Sequence, residues 1–357
     1  MDSDIHGQSL TYREIIRQQK GWHLALKALE SRKENLQAIM EPFRDRTWVF
    51  SGCGTSFYLA QAAGALFEML TGIRCRAIPA SEILIFPELI FNKSDEYLLV
   101  PLSRSGTTTE TVRAAQKARA EFHVPTFAIS CNPQSPMSVE SDLRLEFPFE
   151  PERSVVMTGS FTTMLLSVLH LGELLASRQT ASSQMGQIGE VSQQVMEEYQ
   201  GLMREIAADS SLEKFVFLGQ GPFYGIANEA ALKMQEMSLS TALSYHSLEY
   251  RHGPMSTADE HTLITILLCR GGNRYGGQLA RDLKQLGAKI LVFAGGDKGS
   301  AGIEADFLVR VPGDFGDLFN PMLYMPLLQL LAFHRAIEKN INPDQPKNLT
   351  AVVKLEI

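Results

Sequence analysis

Short apolar runs alternate with longer amphipathic segments along most of the chain. The runs predict strands at 48–50, 75–78, 98–102, 126–130 and 215–218. Segments with helical periodicity lie between or beside them, up to residue 70 and at 109–121, 151–180, 184–209 and 226–239. Strands that alternate with helices across glycine-rich turns predict a parallel, doubly wound α/β sheet.

The N-terminal region, residues 8–40, is predicted to be helical. Thr11 and Glu14 have the spacing of a capping box, which would begin the first helix. Apolar side chains recur on one face of this segment, at Ile15, Trp22, Leu26 and Leu29. We therefore expect this region to pack one face against the rest of the protein.

The pattern of the first half begins again in the second half. WVFSGCGTSFY at 48–58 is similar to FVFLGQGPFYG at 215–225, and LLVPLSRSG at 98–106 to ITILLCRGG at 264–272. TFAIS at 126–130 is similar to ILVFA at 290–294. Three matches in the same order predict two related α/β halves. The predicted divisions are a helical segment at 1–40, a first domain at 41–185, a helical linker at 186–212, a second domain at 213–340 and a C-terminal tail at 341–357.

Composition narrows the function classes. The chain has 357 residues, 45% hydrophobic residues and a formal net charge of −7, without a long basic run, so nucleic acid is not an expected partner. The four cysteines lack the spacing of a metal site or a disulfide framework. The polar N-terminus is unlike a signal peptide, and no apolar run is long enough to cross a membrane. We expect a cytoplasmic protein that needs no metal or other cofactor.

The stretch SRSGTTTET, residues 103–111, places six hydroxyls within nine residues at a predicted strand-to-helix turn. A helix N-terminus favours anions, and hydroxyls can donate hydrogen bonds to phosphate oxygens. Serine and threonine are also common in turns and helix caps, so a structural role is the alternative. The corresponding turn of the second half, residues 271–273, lacks these hydroxyls. We call residues 103–108 the cradle and predict that it binds phosphate.

Three charged residues, Glu229, Lys233 and Glu236, have the spacing i, i+4 and i+7, which places them on one helix face. In an ordinary surface helix this spacing would be a solvated face with one Glu–Lys pair. The alternative is a catalytic face, in which a carboxylate acts as a general base.

The chain resembles the sugar isomerase (SIS) domain family, in the tandem form found in the isomerase half of glucosamine-6-phosphate synthase. The stretches that carry the resemblance are GCGTS at 52–56, SRSGTT at 103–108, SFTT at 160–163, EAALKMQE at 229–236, RHGP at 251–254 and DQPKNL at 344–349. The resemblance implies two flavodoxin-like three-layer sandwiches related by a pseudo-twofold axis. The stretches MTGSFTTM and YRHGPMS most resemble the corresponding sequences of amino-sugar-phosphate deaminase/isomerase proteins.

The resemblance also implies roles for residues that would hold the substrate. The phosphate-binding positions of the family correspond to Ser56, Ser103, Ser105 and Thr108. Arg104 would add positive charge to the cradle or would face solvent. Val155 lies where the family contacts the sugar through its backbone.

The catalytic positions are implied in the same way. Glu236 aligns with the general base that moves a proton between C1 and C2, and Lys233 and Glu229 would orient the open-chain sugar. His252 aligns with the residue that opens the sugar ring, which suits a group that exchanges protons near pH 7. In relatives this histidine reaches the site of the neighbouring subunit, which implies a homodimer with shared sites. Glu249 is assigned a supporting role.

The tail departs from the synthase pattern. Ala351 stands where the synthase has a lysine that forms a Schiff base, and Lys354 lies three residues further on. An alanine cannot form an imine, and we expect the glutaminase half to be absent, so glutamine-dependent aminotransfer is disfavoured. The sequence therefore predicts an aldose–ketose isomerase or deaminase acting on an amino-sugar 6-phosphate. The alternatives are a deglycase for sugar–amino-acid 6-phosphates and a non-catalytic phosphosugar sensor.

Overall fold

The computed structural model describes residues 9–149, 152–176, 182–296 and 302–355. Parts of three sequence predictions fall outside these residues. They are the first eight residues of the N-terminal segment, residues 151 and 177–180 of the helix predicted over 151–180, and the last two residues of the tail.

The described residues contain two five-stranded sheets in which all neighbouring strands are parallel. The first has the order β2-β1-β3-β4-β5, with β1 Thr47–Gly52, β2 Cys75–Pro79, β3 Tyr97–Ser103, β4 Phe127–Ser130 and β5 Leu143–Glu146. The second has the order β10-β9-β8-β6-β7, with β6 Lys214–Gly219, β7 Thr241–His246, β8 Thr262–Leu267, β9 Lys289–Gly295 and β10 Phe307–Val311. Counted within each half, both orders are 2-1-3-4-5, the flavodoxin-like arrangement. The predicted fold class is confirmed.

Helices connect these strands. In chain order they are α1 Leu10–Ile16, α2 Gln18–Glu30, α3 Lys33–Met40, α4 Thr55–Thr71, α5 Ala80–Ile85, α6 Pro87–Ile90, α7 Thr109–Phe122, α8 Pro136–Glu140, α9 Gly159–Leu175, α10 Ser182–Ala208, α11 Pro222–Ser238, α12 Asn273–Gln285 and α13 Gly316–Glu338. Short 3₁₀ turns cover Glu41–Phe43, Glu249–Arg251, Pro254–Thr257 and Arg270–Gly272. Among the described residues, no helix combines the length and the apolar character that a membrane span requires.

The central strands are buried along their whole length, which explains their nearly continuous apolar runs. Every residue of β3 and of β8 is buried. In the first sheet, Val49 and Leu99 pack with Ala114 of α7. In the second sheet, Ile264 and Val292 pack into one apolar cluster. Burial on both faces of a parallel sheet leaves its polar chemistry at the strand ends.

The chain divides into two compact units, one around each sheet. The first-sheet unit comprises Lys20–Arg153, Gly159–Ser183 and the segment from Thr350 to the C-terminus. The second-sheet unit comprises the segment that ends at Gln19, together with Ser154–Thr158 and Gln184–Leu349. Both the N-terminal helical region and the tail are thus divided between the units.

The structure corrects three sequence-based expectations about helix boundaries. The predicted helical segment 8–40 is three helices, α1, α2 and α3. Helix α1 is capped by Ser9, whose hydroxyl accepts a hydrogen bond from the Tyr12 N–H at 3.2 Å, so the capping-box interpretation of Thr11 and Glu14 was wrong. The helix predicted over 151–180 begins only at Gly159, because Ser154 hydrogen-bonds through its N–H and hydroxyl to the Glu14 carboxylate.

Candidate active site

The cradle leaves β3 and leads into α7. Gly106 has a positive φ of 64°, which a residue with a side chain rarely adopts. The Ser103 hydroxyl accepts a hydrogen bond from the Gly106 N–H at 3.0 Å, and the Ser105 hydroxyl accepts one from the Thr107 N–H at 3.2 Å. A serine hydroxyl that accepts a backbone N–H still has its own proton to donate. Shaping the turn and binding an anion are therefore compatible roles for these serines.

Thr108 is the N-cap residue of α7, yet its side chain makes no capping hydrogen bond. Helix capping therefore does not account for its hydroxyl.

The Asn132 amide group donates to the Ser105 carbonyl at 3.2 Å, and the Met137 N–H donates to the Gly106 carbonyl at 3.2 Å. These backbone contacts hold the cradle from the side of β4 and α8.

Arg104 is paired within the protein. Its guanidinium donates to the Glu152 carboxylate at 2.8 Å, with Arg104 13% and Glu152 1% exposed. The Ser160 hydroxyl, at the start of α9, donates to the same carboxylate. Arg104 therefore neither faces solvent nor adds free positive charge to the cradle, because it belongs to a nearly buried ion pair. Glu152, which the sequence analysis did not single out, neutralises that charge.

Two further substrate-binding candidates lie in different units. Ser56 is buried in the first turn of α4, in the first-sheet unit, and Gly54 before it has a φ of 53°. An added Cβ on Gly52 would lie 2.7 Å from the Ser56 Cβ, so glycine allows the close approach. Val155 belongs to the second-sheet unit and is partly buried, in the irregular segment before α9.

The C-terminal tail contacts the first residue of α7, directly after the cradle. The Leu355 N–H donates to the Thr109 hydroxyl at 3.0 Å, and the Thr109 N–H donates to the Val353 carbonyl at 3.5 Å. Lys354 lies between these two contacts and, like Ala351, is exposed.

The charged face of α11 is buried. Glu229 and Lys233 are fully buried, and the Glu236 side chain is 15% exposed. The Lys233 ammonium lies 3.2 Å from the Glu229 carboxylate and is hydrogen-bonded to the Glu236 carboxylate. The interpretation as a solvated surface face is therefore excluded. Two carboxylates and one ammonium give this cluster a formal charge of −1. Of its three side chains, only that of Glu236 is partly exposed.

The two carboxylates keep Lys233 charged. Burial by itself lowers the pKa of Lys233, but Glu229 and Glu236 outweigh burial, and the net pKa lies above its ordinary value. A protonated ammonium has no free electron pair and cannot attack a carbonyl carbon. The raised pKa of Lys233 therefore disfavours the neutral amine that Schiff-base formation needs.

His252 and Glu249 lie on the loop after β7. Both side chains are exposed, so His252 is not a core residue. Glu249 begins a 3₁₀ turn, and the His252 N–H donates to the Glu249 carbonyl at 3.0 Å. Gly253 follows with a φ of 122°, and Arg251 forms a 2.6 Å ion pair with Asp282 of α12. The Arg251–Asp282 ion pair thus anchors the loop directly before an exposed imidazole.

A second histidine near this loop was missed by sequence reasoning. His246, the last residue of β7, stacks on Tyr224 of α11 with ring centroids 3.7 Å apart. Burial lowers the pKa of His246, and Glu249 opposes this effect. Its position in YHSLEYRHGP, close to two candidate residues, is the signal that would have found it.

Within the described residues, no group of three or more His, Cys, Asp or Glu side chains is placed to hold a metal ion.

Known proteins with similar sequences are aminotransferases that use sugar phosphates. The glutamine–fructose-6-phosphate aminotransferase of Pseudomonas aeruginosa is 30% identical, over 92% of this chain and 56% of that protein. The chain spans about half the length of the curated relatives it matches.

Solved structures of related proteins match nearly the whole chain, among them the following two. Glucosamine-6-phosphate deaminase from Thermotoga maritima has a TM-score of 0.76 and 30% identity, and covers 93% of this chain and 99% of its own. The C-terminal domain of glucosamine-fructose-6-phosphate aminotransferase from Francisella tularensis has a TM-score of 0.82 and 26% identity, with 95% and 98% covered. A family model for the SIS domain matches residues 43–174 and 210–339. The chain therefore belongs to the SIS domain family, and it carries two copies of the domain.

Proposed function

We propose that this protein moves a proton between C1 and C2 of an amino-sugar 6-phosphate and releases the amine as ammonia. The observation that carries the proposal is the Glu229–Lys233–Glu236 cluster, in which a buried ammonium holds one partly exposed carboxylate. A carboxylate fixed in this way suits a proton transfer in which the proton leaves and returns on one face. Glu236 is the proposed base.

The phosphate group is assigned to the cradle. Hydroxyls of Ser103, Ser105 and Thr108, with Ser56, would donate to the phosphate oxygens at the N-terminus of α7. Since Arg104 is already paired with Glu152, the cradle would bind phosphate mainly through hydroxyl and backbone donors.

The proposed reaction needs no oxidant or reductant. Glu236 removes the C2 proton of the open-chain 2-amino aldose while the C1 aldehyde oxygen gains a proton. A proton is then added at C1 and the amine loses one, so that C1 becomes CH₂OH and C2 becomes an imine. Water adds to this imine carbon, and the C–N bond breaks to leave a 2-ketose phosphate and ammonia. Lys233 and Glu229 have no exposed surface, so we assign them to positioning Glu236 and not to contacting the sugar.

Two features favour release of ammonia over aminotransfer. Ala351 stands at the position of the Schiff-base lysine, and Lys233 is held protonated by its neighbours. Ala351 cannot form an imine, and the raised pKa of Lys233 disfavours one there, so we assign water as the nucleophile. The likeness to the Thermotoga maritima glucosamine-6-phosphate deaminase, at 30% identity, supports the same assignment.

His252 is proposed to open the sugar ring in a site of the neighbouring subunit of a homodimer. Its exposed side chain, on a loop anchored by the Arg251–Asp282 ion pair, suits a residue presented to a partner. This assignment rests on the family resemblance and on exposure.

The test is an incubation with glucosamine-, galactosamine- and fructosyl-lysine-6-phosphates, in which ammonia, free lysine and ketose are measured together. Ammonia with ketose supports the proposal, free lysine indicates a deglycase, and binding without any product indicates a sensor. Glu236→Gln should lower turnover by about two to four decades. Glu304→Gln, at an exposed glutamate in the same unit, is the matched control and should leave turnover unchanged.

A further inference from the structure

A cavity of about 540 Å³ lies at the carboxyl ends of β8, β9 and β10, within the second-sheet unit. None of the candidate site residues lines it. Its polar lining comprises Cys269, Arg270, Asn273, Asp314, Asp317 and Asn320. Ligands of open α/β sheets bind at this edge of the sheet. We call this space the second-sheet cavity.

The cavity occupies the duplicated counterpart of the cradle. β8, β9 and β10 take the same places in the second sheet that β3, β4 and β5 take in the first. The cradle follows β3, and the second-sheet cavity opens after β8. The turn after β8 contributes Cys269, Arg270 and Asn273 where the cradle has hydroxyls. The loop and helix after β10 add Asp314, Asp317 and Asn320. The duplication therefore kept a polar site but changed the chemistry that it recognises.

The Asn320 side chain gives the cavity a buried hydrogen-bond acceptor. Asn320 is 4% exposed, and its Oδ1 has no hydrogen-bond donor among the described residues. An added Cβ on Gly295 would lie 1.9 Å from the Asn320 Nδ2, so the amide packs tightly against the end of β9. Buried polar atoms are nearly always hydrogen-bonded in native proteins. A ligand with a hydroxyl group would supply the donor that Oδ1 lacks.

The charges around the cavity disfavour an anion. The Arg270 guanidinium is engaged with both carboxylate oxygens of Asp314, at 2.9 and 2.8 Å. The Asp317 carboxylate accepts a hydrogen bond from the backbone N–H of Arg270 at 2.8 Å. Asp317 lies in the first turn of α13, where its negative charge complements the helix dipole. Burial and Asp317 both raise the pKa of Cys269, so the thiol stays neutral. Together, Arg270, Asp314 and Asp317 leave one excess negative charge at the cavity, along with several hydrogen-bond acceptors.

We propose that the second-sheet cavity binds an unphosphorylated sugar or polyol, whose hydroxyls donate to Asn320 Oδ1 and to the Asp314 and Asp317 carboxylates. Amide and carboxylate groups are good acceptors for hydroxyl donors. The cavity volume lies within the range of small-molecule sites. This site is separate from the proposed phosphosugar chemistry and does not depend on it.

The test is ligand-observed NMR on the full chain with galactose, glucose, sorbitol and inorganic phosphate. We expect a sugar or polyol to bind in the millimolar range and phosphate not to compete with it. Asn320→Leu and Asp314→Ala should each weaken that binding by about tenfold. Asp314 is 75% exposed, so its variant tests the site even if Asn320→Leu fails to fold. Ser105→Ala, in the cradle, reports on the other site and should leave sugar or polyol binding unchanged. Lys347→Met, at an exposed lysine outside the cavity, is the inert control.

Three results would overturn this proposal. One is the absence of binding of all three sugars and polyols at about 100 mM, which lies beyond any useful affinity. The second is binding that Ser105→Ala weakens and the two cavity variants do not. The third is a folded Asn320→Leu protein that binds the probes as well as the unsubstituted chain, which would assign the amide to water only.

Discussion

Lys233 is a fully buried ammonium that lies between two carboxylates, and this arrangement makes it sensitive to substitution. A buried charge is tolerated only when it is paired, and removal of one member leaves the others uncompensated. The spacing of Glu229, Lys233 and Glu236 predicted their shared face. Their burial could not be predicted from that spacing, because a solvated helix face has the same i, i+4 and i+7 pattern.

Lys233→Met should lower the free energy of unfolding by about 3–5 kcal/mol, because Glu229 and Glu236 then repel each other in a buried setting. Urea unfolding followed by circular dichroism measures this change. Lys347→Met, at an exposed lysine of the same unit, is the matched control and should have little effect. Equal unfolding midpoints for the two variants would contradict the buried cluster.

Gly106→Ala should disrupt the cradle. The alanine would need a positive φ, and its Cβ would lie 2.0 Å from the Ser135 hydroxyl. We therefore expect the free energy of unfolding to fall by about 1–3 kcal/mol and phosphosugar binding to weaken. Gly201→Ala, in α10 with open space around its Cα, should instead stabilise the protein by about 0.5–1 kcal/mol. Titration calorimetry and urea unfolding test both variants. Unchanged binding by Gly106→Ala would contradict the assigned cradle.

At the scale of elements, the strands and most helices follow from local pattern, but the ends of two helices do not. Asp344 accepts hydrogen bonds from the Ser9 hydroxyl and the Leu10 and Thr11 N–H groups, at 2.9, 2.8 and 2.8 Å. Asp344 is 335 positions away from Ser9, so a local capping rule could not find it. Ser154, ahead of α9, is a second case, since its hydrogen bond to Glu14 joins residues 140 positions apart.

Asp344→Ala should lower the free energy of unfolding by about 2 kcal/mol near neutral pH. Burial tends to raise the pKa of Asp344, but the hydrogen bonds from Thr11, Leu10 and Ser9 outweigh it and hold the pKa below its ordinary value. The group therefore stabilises the fold above its unfolded-state pKa and loses this contribution as pH falls through its folded-state pKa.

Urea unfolding at several pH values tests this prediction. The difference between Asp344→Ala and the unsubstituted chain should shrink as pH falls below about 4, the ordinary pKa of aspartate. Glu304→Ala, at an exposed glutamate of the same unit, is the control and should show a small difference at every pH. A difference that grows in acid would contradict the capping role.

At the scale of the whole molecule, the internal repeat predicted the two α/β halves, and the identical strand order of the two sheets confirms them. The repeat also predicted that the second half lost the hydroxyl-rich turn. It could not predict the other wall of the second-sheet cavity, because Asp314 lies in the loop after β10, and Asp317 and Asn320 lie in α13. Those residues meet only when the sheet forms.

The proposed sharing of sites in a homodimer makes a specific prediction for mixed variants. Glu236→Gln and His252→Asn proteins should each be nearly inactive alone. Mixed at equal amounts and allowed to exchange subunits, they should recover about a quarter of full activity, because half of the dimers are mixed and each has one intact site. The control is the same mixture after chemical cross-linking of the separate variants, which should stay inactive. No recovery after verified exchange would contradict shared sites.

The most direct test of the central claim is proton NMR of sugar 6-phosphates incubated with the protein in D₂O. The account predicts that deuterium enters at C1 or C2 of a hexosamine 6-phosphate or its ketose product, and that Glu236→Gln slows this exchange by about two to four decades while still binding the sugar phosphate. A folded, unsubstituted chain that binds these compounds without any exchange at C1 or C2 would contradict it.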